Sequence, residues 1–220
     1  MRRLFVFRPE PASRQTIAKA RGLGLDAVSI PLFELQTLDW SPPDAGDFDA
    51  LLLTSANTVK MAGDRLDLYR GLPVHAVGEG TAVAAEVAGL GVATVGTGGI
   101  DQLLADVDPQ ARLLHLCGED RREPSVAGRS IRSVPVYRAT EKAHVPGLEE
   151  MSGQAAVVHS PRAARRLAEL IDPARRSTIK IAAISAATAE AAGEGWQDVR
   201  VAALPNDAEL LVLAARLCET

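Results

Sequence analysis

"DALLLTSANTVKMAGDRL", Asp49–Leu66, decides how the chain is to be read. Four aliphatic residues end at Thr54-Ser55, and a polar segment follows in which apolar residues recur at helical spacing. A short, uniformly apolar run cannot alternate faces, so it reads as a strand buried on both sides, as in a parallel sheet. Ser55 stands where a helix N-cap is expected. A strand running straight into a capped helix is half of a β-α-β unit, and the junction lies at the strand's C-terminal end. That edge is where open α/β sheets bind ligands.

The same grammar extends in both directions. "LFVF" (Leu4–Phe7), "SRQTIAKARGLG" and "DAVSI" (Asp26–Ile30) form a strand, a helix with Ser13 as candidate cap, and a strand. They should be parallel with a right-handed crossover. "PLFELQTL" (Pro31–Leu38) is extended, and the Pro/Asp/Gly loop "DWSPPDAGDFD" marks a boundary. Beyond Leu66 come "PVHAV", "TAVAAEVAGLG", "VATV", "IDQLLADV" and "ARLLHLC", again strand and helix in turn. A second extended stretch, "SIRSVPVYRAT" (Ser130–Thr140), precedes "QAAVVH", a helix from Pro161 to Ile171, "IKIAAI", a short helix from Ala186, "VRVAA" and a final helix "DAELLVLAARL". The fold class is therefore α/β.

An internal repeat is visible. "ALLLTSANTV" lies over "AAVVHSPRAA", setting Ser55 against Ser160. "HAVGEGTAVAAEVAGLG" lies over "AAISAATAEAAGEG", setting Thr81 against Thr188. Two copies do not make a solenoid; they point to two similar α/β lobes. A lone β-α-β unit at the N-terminus cannot cover both faces of its strands, so it needs C-terminal strands to complete its sheet.

Composition excludes several classes. The 220 residues are 47% hydrophobic and 24% charged, with a formal net charge of −4. That balance argues against a nucleic-acid footprint, although a cleft can be locally positive on an acidic protein. Aromatics are 4%, too few for a base-stacking platform. Cys117 and Cys218 belong to no metal or redox motif and read as free thiols in a reducing cytoplasm. No apolar run approaches the roughly 20 residues that span a bilayer, and "MRRLFVFRPEP" has too short an apolar core for a signal peptide. A receptor exported to the periplasm is set aside on that ground. "GTGG" (Gly96–Gly99) is a poor dinucleotide fingerprint and reads as a flexible turn. His75, His115, His144 and His159 show no ligand spacing; His75 and His115 read as strand residues, and His159, beside Ser160, is the one to watch.

Eight stretches together resemble one family, uroporphyrinogen-III synthase: "LFVFRPEP", "GLDAVSIPLFEL", "LLLTSANTV", "VHAVGEGTA", "LLHLCGEDRRE", "VPVYRAT", "VVHSPRAARR" and "AAISAATAEAAGEG", in the family's order. The resemblance implies two parallel-sheet, flavodoxin- or Rossmann-like α/β lobes joined by a two-stranded antiparallel linker. The first domain would take residues 1–33 and 144–220, the second 39–133, and the linker 31–38 with 134–142. It implies a cytoplasmic lyase of tetrapyrrole biosynthesis that closes hydroxymethylbilane, a linear tetrapyrrole with acetate and propionate chains, into uroporphyrinogen III. The terminal ring is inverted and water is lost. No cofactor and no metal are implied. The partner is this small molecule, with no nucleic acid or membrane; the chain would act as a monomer, with room for a transient contact with the upstream deaminase. A non-catalytic two-lobed module binding a tetrapyrrole or small anion is the alternative.

Site residues follow from matching positions. Tyr137 is the resemblance's candidate proton donor, and a phenol with a pKa of about 10 is protonated at neutral pH; packing of the linker is its other role. Ser55, Asn57, Ser160 and Arg162 would bind substrate carboxylates at two helix starts facing across a cleft, or the serines would only cap. Arg8 would pair with a carboxylate or form a surface salt bridge. Thr81 and Thr188 would bond to substrate or cap the next helix, and Gly78 would let its loop approach the ligand. The family carries glycine where Ser185 stands; if that glycine is needed for a positive φ or for close backbone approach, Ser185 weakens the case for Thr188 more than for Thr81. One of Arg121 and Arg122 would face the site.

Overall fold

Uniformly apolar strands cannot tolerate a wet face, and the structure, a computed structural model describing residues 1–10, 12–121 and 128–219, covers both faces of each sheet. The chain divides into two units, Met1–Glu34 with Glu141–Thr220, and Leu35–Thr140.

In the first unit β1 (Leu4–Val6), β2 (Ala27–Ser29), β9 (Ala155–Val158), β10 (Lys180–Ala183) and β11 (Asp198–Val201) form one sheet in the order β11-β10-β9-β1-β2. Its four pairings are all parallel. The N-terminal β-α-β unit thus gains its second neighbour from the far end of the chain, with Phe5 opposite both Val28 and Ala156. Side chains alternate across a sheet. Leu4, Val6, Ala155, Val157 and Ala182 pack with Ala20 of α1 (Ala12–Gly22) and with Leu210, Leu211, Ala214 and Leu217 of α8 (Asp207–Glu219). Phe5, Ala156 and Ile181 are buried on the opposite face, where α5 (Pro161–Leu170) packs on β9 and α7 (Ala186–Ala192) on β10. A short helix α6 (Pro173–Arg176), capped by Asp172, was not foreseen from the sequence.

The second sheet lies in the second unit except for the first residues of β3 and the last of β8: β4 (Ala50–Leu53), β5 (Val74–Val77), β6 (Val92–Gly96), β7 (Leu113–Gly118), β8 (Ile131–Glu141) and β3 (Phe33–Thr37) follow the order β3-β8-β7-β4-β5-β6. Apart from β3 the order matches the first sheet strand for strand, with β4 in the place of β9 and β5 in that of β10, the pairs aligned by the repeat. Leu51, Leu53, Leu114 and Leu116 pack under α2 (Ala56–Ala62) and α3 (Glu79–Val87), alongside Trp40 and Tyr69. Ala50, Leu52 and Leu113 pack under α4 (Ile100–Ala105), against Ile100, Leu103 and Leu104. Each fully buried leucine contributes roughly 1.5–3 kcal/mol.

β8 does two things. Its first part runs parallel to β7 from Ile131↔Leu113 onward. Its other edge lies antiparallel to β3, since Lys142 N–H donates to the Leu32 carbonyl and Leu38 N–H to the Val136 carbonyl, both at 3.0 Å. The register with β7 slips by one residue after Cys117↔Pro135, so that Gly118 meets Tyr137. Pro135 has no N–H to give to a ladder, and a bulge is where a sheet accepts that.

His75 and His115 do lie in strands, on either side of Leu52. His115 is fully buried; its Nε2 lies 3.3 Å from Thr54 Oγ1 and its Nδ1 3.2 Å from Ser133 Oγ. Burial, helped by the positive charge of Arg121, pushes its pKa down to about 4. The folded state therefore holds the neutral ring, and the unfolded chain binds the proton more readily. Stability from this group is complete above the unfolded value of about 6.5 and is lost as pH falls toward 4, on the order of 3 kcal/mol in all. In urea unfolding between pH 4 and 7, His115→Gln should show a shallower loss of stability toward acid than the parent protein. Equal slopes would show that His115 does not carry that dependence.

Candidate functional site

In both sheets the strand C-termini and the starts of the following helices come to one edge, and the residues picked from the sequence fall into two groups there, one in each unit.

In the first unit β9 ends at Val158, and Ser160 adopts an extended conformation (φ −158°, ψ 153°) and caps α5, its Oγ accepting the Ala163 N–H at 3.2 Å. Pro161 occupies the first helical position, where no N–H is needed. A cavity of about 230 Å³ opens at this edge, lined by Phe7, Arg8, Pro9, Phe33, His159, Ser160 and Ala163. Arg8 follows β1; its Nη1 lies 3.2 Å from Thr16 Oγ1 and 3.5 Å from Asp207 Oδ1. Burial lowers the Arg8 pKa and Asp207 opposes that, but a guanidinium remains charged throughout the physiological range. The Arg162 guanidinium sits over the Phe33 ring, 4.5 Å from its centroid, an arrangement that holds the cation in place.

His159 Nε2 lies 2.9 Å from Asp207 Oδ1. Burial pushes the His159 pKa below its usual value against the Asp207 hydrogen bond, which raises it. Burial also disfavours the charged Asp207 carboxylate, yet the His159 hydrogen bond and Lys19 at 3.3 Å together hold its pKa well below the usual carboxylate range. Asp207 was missed from the sequence. An acidic residue in a helix's first turn is common, and only the fold brings it beside residues near positions 8, 16 and 159.

Ser185 does not occupy a position that needs positive φ. It stands at φ −154° and ψ 163°, extended backbone open to any residue, and it caps α7 by accepting the Thr188 N–H at 3.3 Å. No positive φ is needed there, so the serine strains nothing. Its counterpart Gly78 does sit at φ 86°, at the start of α3. Thr81 and Thr188 both occupy the third helical position, not the cap itself. Thr81 is 5% exposed and Thr188 fully buried, with its hydroxyl 3.0 Å from Ser185 Oγ. As placed, the Thr188 hydroxyl braces the start of α7, while Thr81 is buried at the start of α3.

In the second unit Ser55 caps α2, its Oγ accepting the Asn57 N–H at 3.1 Å. The Asn57 side-chain Oδ1 is buried with no partner among the described residues. A cavity of about 350 Å³ is lined by Thr54, Ser55, Val77, Gly99, Ile100, Gly118, Asp120, Arg121 and Tyr137. The "GTGG" turn is therefore more than a spacer: Gly99, at φ 98°, starts α4 and borders this cavity. Tyr137 lies over Gly118, where an added Cβ would come within 2.9 Å of the Tyr137 Cζ; only glycine admits the ring. Burial pushes the Tyr137 phenol up, with the Ser55 and Thr58 hydroxyls pulling the other way. The phenol thus holds its proton at neutral pH. Arg121 borders the same cavity, while Arg122 lies outside the described residues.

Among the described residues, no group of three or more His, Cys, Asp or Glu is placed to hold a metal ion, and no helix is long and apolar enough to cross a membrane. Both cysteines are buried and neither is in a disulfide.

Comparisons with known proteins bear on this arrangement. A uroporphyrinogen-III synthetase structure from Helicobacter pylori aligns over 99% of this chain and all of its own, with a TM-score of 0.69 at 17% identity. Two structures of the uroporphyrinogen III synthase of the extremely thermophilic bacterium Thermus thermophilus align over 98% of this chain, and over 96% and 98% of their own, with TM-scores of 0.42 and 0.49 at 22% and 20% identity. No curated protein matches the chain. The family profile described as "Uroporphyrinogen-III synthase HemD" matches residues 14–211, spanning both groups of strand-end residues apart from Arg8. The chain belongs to the uroporphyrinogen-III synthase family.

Proposed function

We propose that the chain has the activity of its family: it closes hydroxymethylbilane to uroporphyrinogen III with inversion of the last ring and loss of water. The observation that carries this reading is that each unit gathers the matched residues around a cavity at its strand C-terminal edge, Arg8 and Ser160 in one, Ser55 and Tyr137 in the other.

The chemistry asks mainly for positioning. Loss of the hydroxyl leaves an electrophilic azafulvene, which a pyrrole carbon attacks unaided. Left free, the chain closes without inversion. To invert the ring, the already substituted carbon must be held as the nearest nucleophile, giving a spiro intermediate that breaks and recloses. Holding reacting atoms in one geometry is worth up to roughly 7–11 kcal/mol. The substrate's carboxylates are the handles. In the first unit Arg8, Arg162 and the start of α5 at Ser160 take carboxylates, since a guanidinium fits a carboxylate with two parallel hydrogen bonds and a helix start favours negative charge. In the second unit Ser55 and Asn57 do so, and Gly78 lets the start of α3 come close. Thr81 and Thr188 support these helix starts from beneath. Tyr137, protonated, donates to the leaving hydroxyl. The two-lobed division, with 31–38 and 134–142 as the linker, belongs to the same proposal, as do a cytoplasmic setting, the absence of a cofactor, action as a monomer and a transient contact with the upstream deaminase.

The direct test generates hydroxymethylbilane in situ, adds the protein, oxidises the products and separates the isomers. Type III should dominate; type I alone would mean a protein that binds without directing closure. Tyr137→Phe should lower kcat by about a hundredfold with little change in KM, the usual scale for a lost general acid; an unchanged rate would take Tyr137 out of the chemistry. Gly118→Ala leaves every hydroxyl in place but crowds the Tyr137 ring. It should slow turnover roughly tenfold or more, and full activity would show that the seat of Tyr137 is unimportant.

A further inference from the structure

Among the described residues of the first unit Asp207 is heavily engaged, and nothing in the proposed reaction uses it. Its side chain is 14% exposed. Thr16 Oγ1 lies 3.1 and 3.2 Å from its two oxygens, His159 Nε2 at 2.9 Å, Lys19 Nζ at 3.3 Å and Arg8 Nη1 at 3.5 Å. Helix capping does not account for this, because the Asn206 side chain takes the Glu209 N–H at 2.9 Å.

The hydrogen-bond directions are fixed by chemistry. An ionised carboxylate only accepts. His159 therefore carries its proton on Nε2 and donates it to Asp207. Thr16 likewise donates its hydroxyl proton to Asp207, and a lone pair of the same oxygen accepts from Arg8 Nη1 at 3.2 Å. The result is a directed chain, Arg8 to Thr16 to Asp207, with His159 fixed on the same carboxylate. Among the described residues, both bonds made by Arg8 use Nη1. The opposite edge, Nε with Nη2, keeps the fork geometry that suits a carboxylate. Charge points the same way: Arg8 and Lys19 share one Asp207, so the group retains positive charge beside the cavity that Arg8, His159 and Ser160 line.

We propose that Asp207, acting through Thr16 and with His159 braced against it, is a positioning residue that presents the Nε–Nη2 edge of Arg8 to one substrate carboxylate. This rests on the reading that Arg8 binds substrate. Without Asp207 the guanidinium keeps its charge and loses its orientation, so recognition is weakened at constant charge on Arg8.

The test is a double-mutant cycle, which reports coupling only where two residues share a role. Wild type, Asp207→Asn, Arg8→Met and the double variant are compared for kcat/KM with hydroxymethylbilane and for affinity toward uroporphyrin III, a stable octacarboxylate that needs no turnover. Asp207→Asn should cost about tenfold in both, chiefly through KM, and less than about twofold in the Arg8→Met background. Thr16→Val, which removes only the relay hydroxyl, should show the same dependence on Arg8 and serves if Asp207→Asn folds poorly. A merely structural Asp207 would lower the melting temperature and cost the same in both backgrounds. That outcome, or no cost at all, overturns the proposal. Formation of type I alone by the wild type would instead overturn the assigned reaction, and the uroporphyrin III cycle would still decide the role of Asp207.

Discussion

Parallel strand pairing is the constraint from which the rest follows. A strand that must run the same way as its neighbour cannot return by a hairpin; it needs a crossover, here a helix. In each β-α-β unit the strand therefore ends, and the next helix begins, at one edge of the sheet; β3, antiparallel to β8, stands outside that rule. Ser55 after β4, Ser160 after β9 and Ser185 after β10 are caps because of that geometry. The same geometry brings Arg8 beside the start of α5 in the first unit, and Tyr137 beside the start of α2 in the second. Interiors built of Leu, Val and Ala supply the stability, and the exposed edge is left for chemistry.

A protein of net charge −4 can still concentrate positive charge locally. In the first unit Arg8, Lys19 and Arg162 do so at the strand ends. Asp207 sits among them without cancelling them. Its low pKa keeps it ionised, and an ionised acceptor at the centre of several donors gives each a fixed direction. In the second unit the hydroxyls of Thr54 and Ser55 and the Tyr137 phenol line the cavity together with Asp120 and Arg121, with the neutral, buried His115 behind Thr54.

The parallel α/β class, the order of the strands and longer helices, and the caps at Ser55 and Ser160 could be read from the sequence, because each depends on local pattern: apolar runs of four, helical spacing, Ser before the first turn. Ser13, read as a cap, instead lies within α1 with its hydroxyl against that of Ser29, a contact that only the sheet brings about. What could not be read depends on contacts between distant segments. Tyr137 faces Gly118 only because the register of β8 slips at Pro135, and no periodicity carries that shift. Asp207 meets His159 only because α8 packs on the sheet beside β9. The repeat aligned Gly78 with Ser185 and suggested one shared backbone need, yet the two positions have φ of 86° and −154°; aligned loops of unequal length need not share a conformation. The burial of Thr81 and Thr188 beneath their helix starts likewise depends on packing, which spacing alone does not report.

The central claim is that substrate carboxylates are taken up at the strand C-terminal edges of both units. Backbone amide chemical shifts followed while uroporphyrin III is titrated into the labelled protein test it most directly. The account predicts that the largest shifts fall at residues 8, 54–58, 118–121 and 159–163 and saturate together. Shifts confined to one unit, or clustered at the opposite ends of the strands around Ala50, Val74, Ala155 and Lys180, would contradict it.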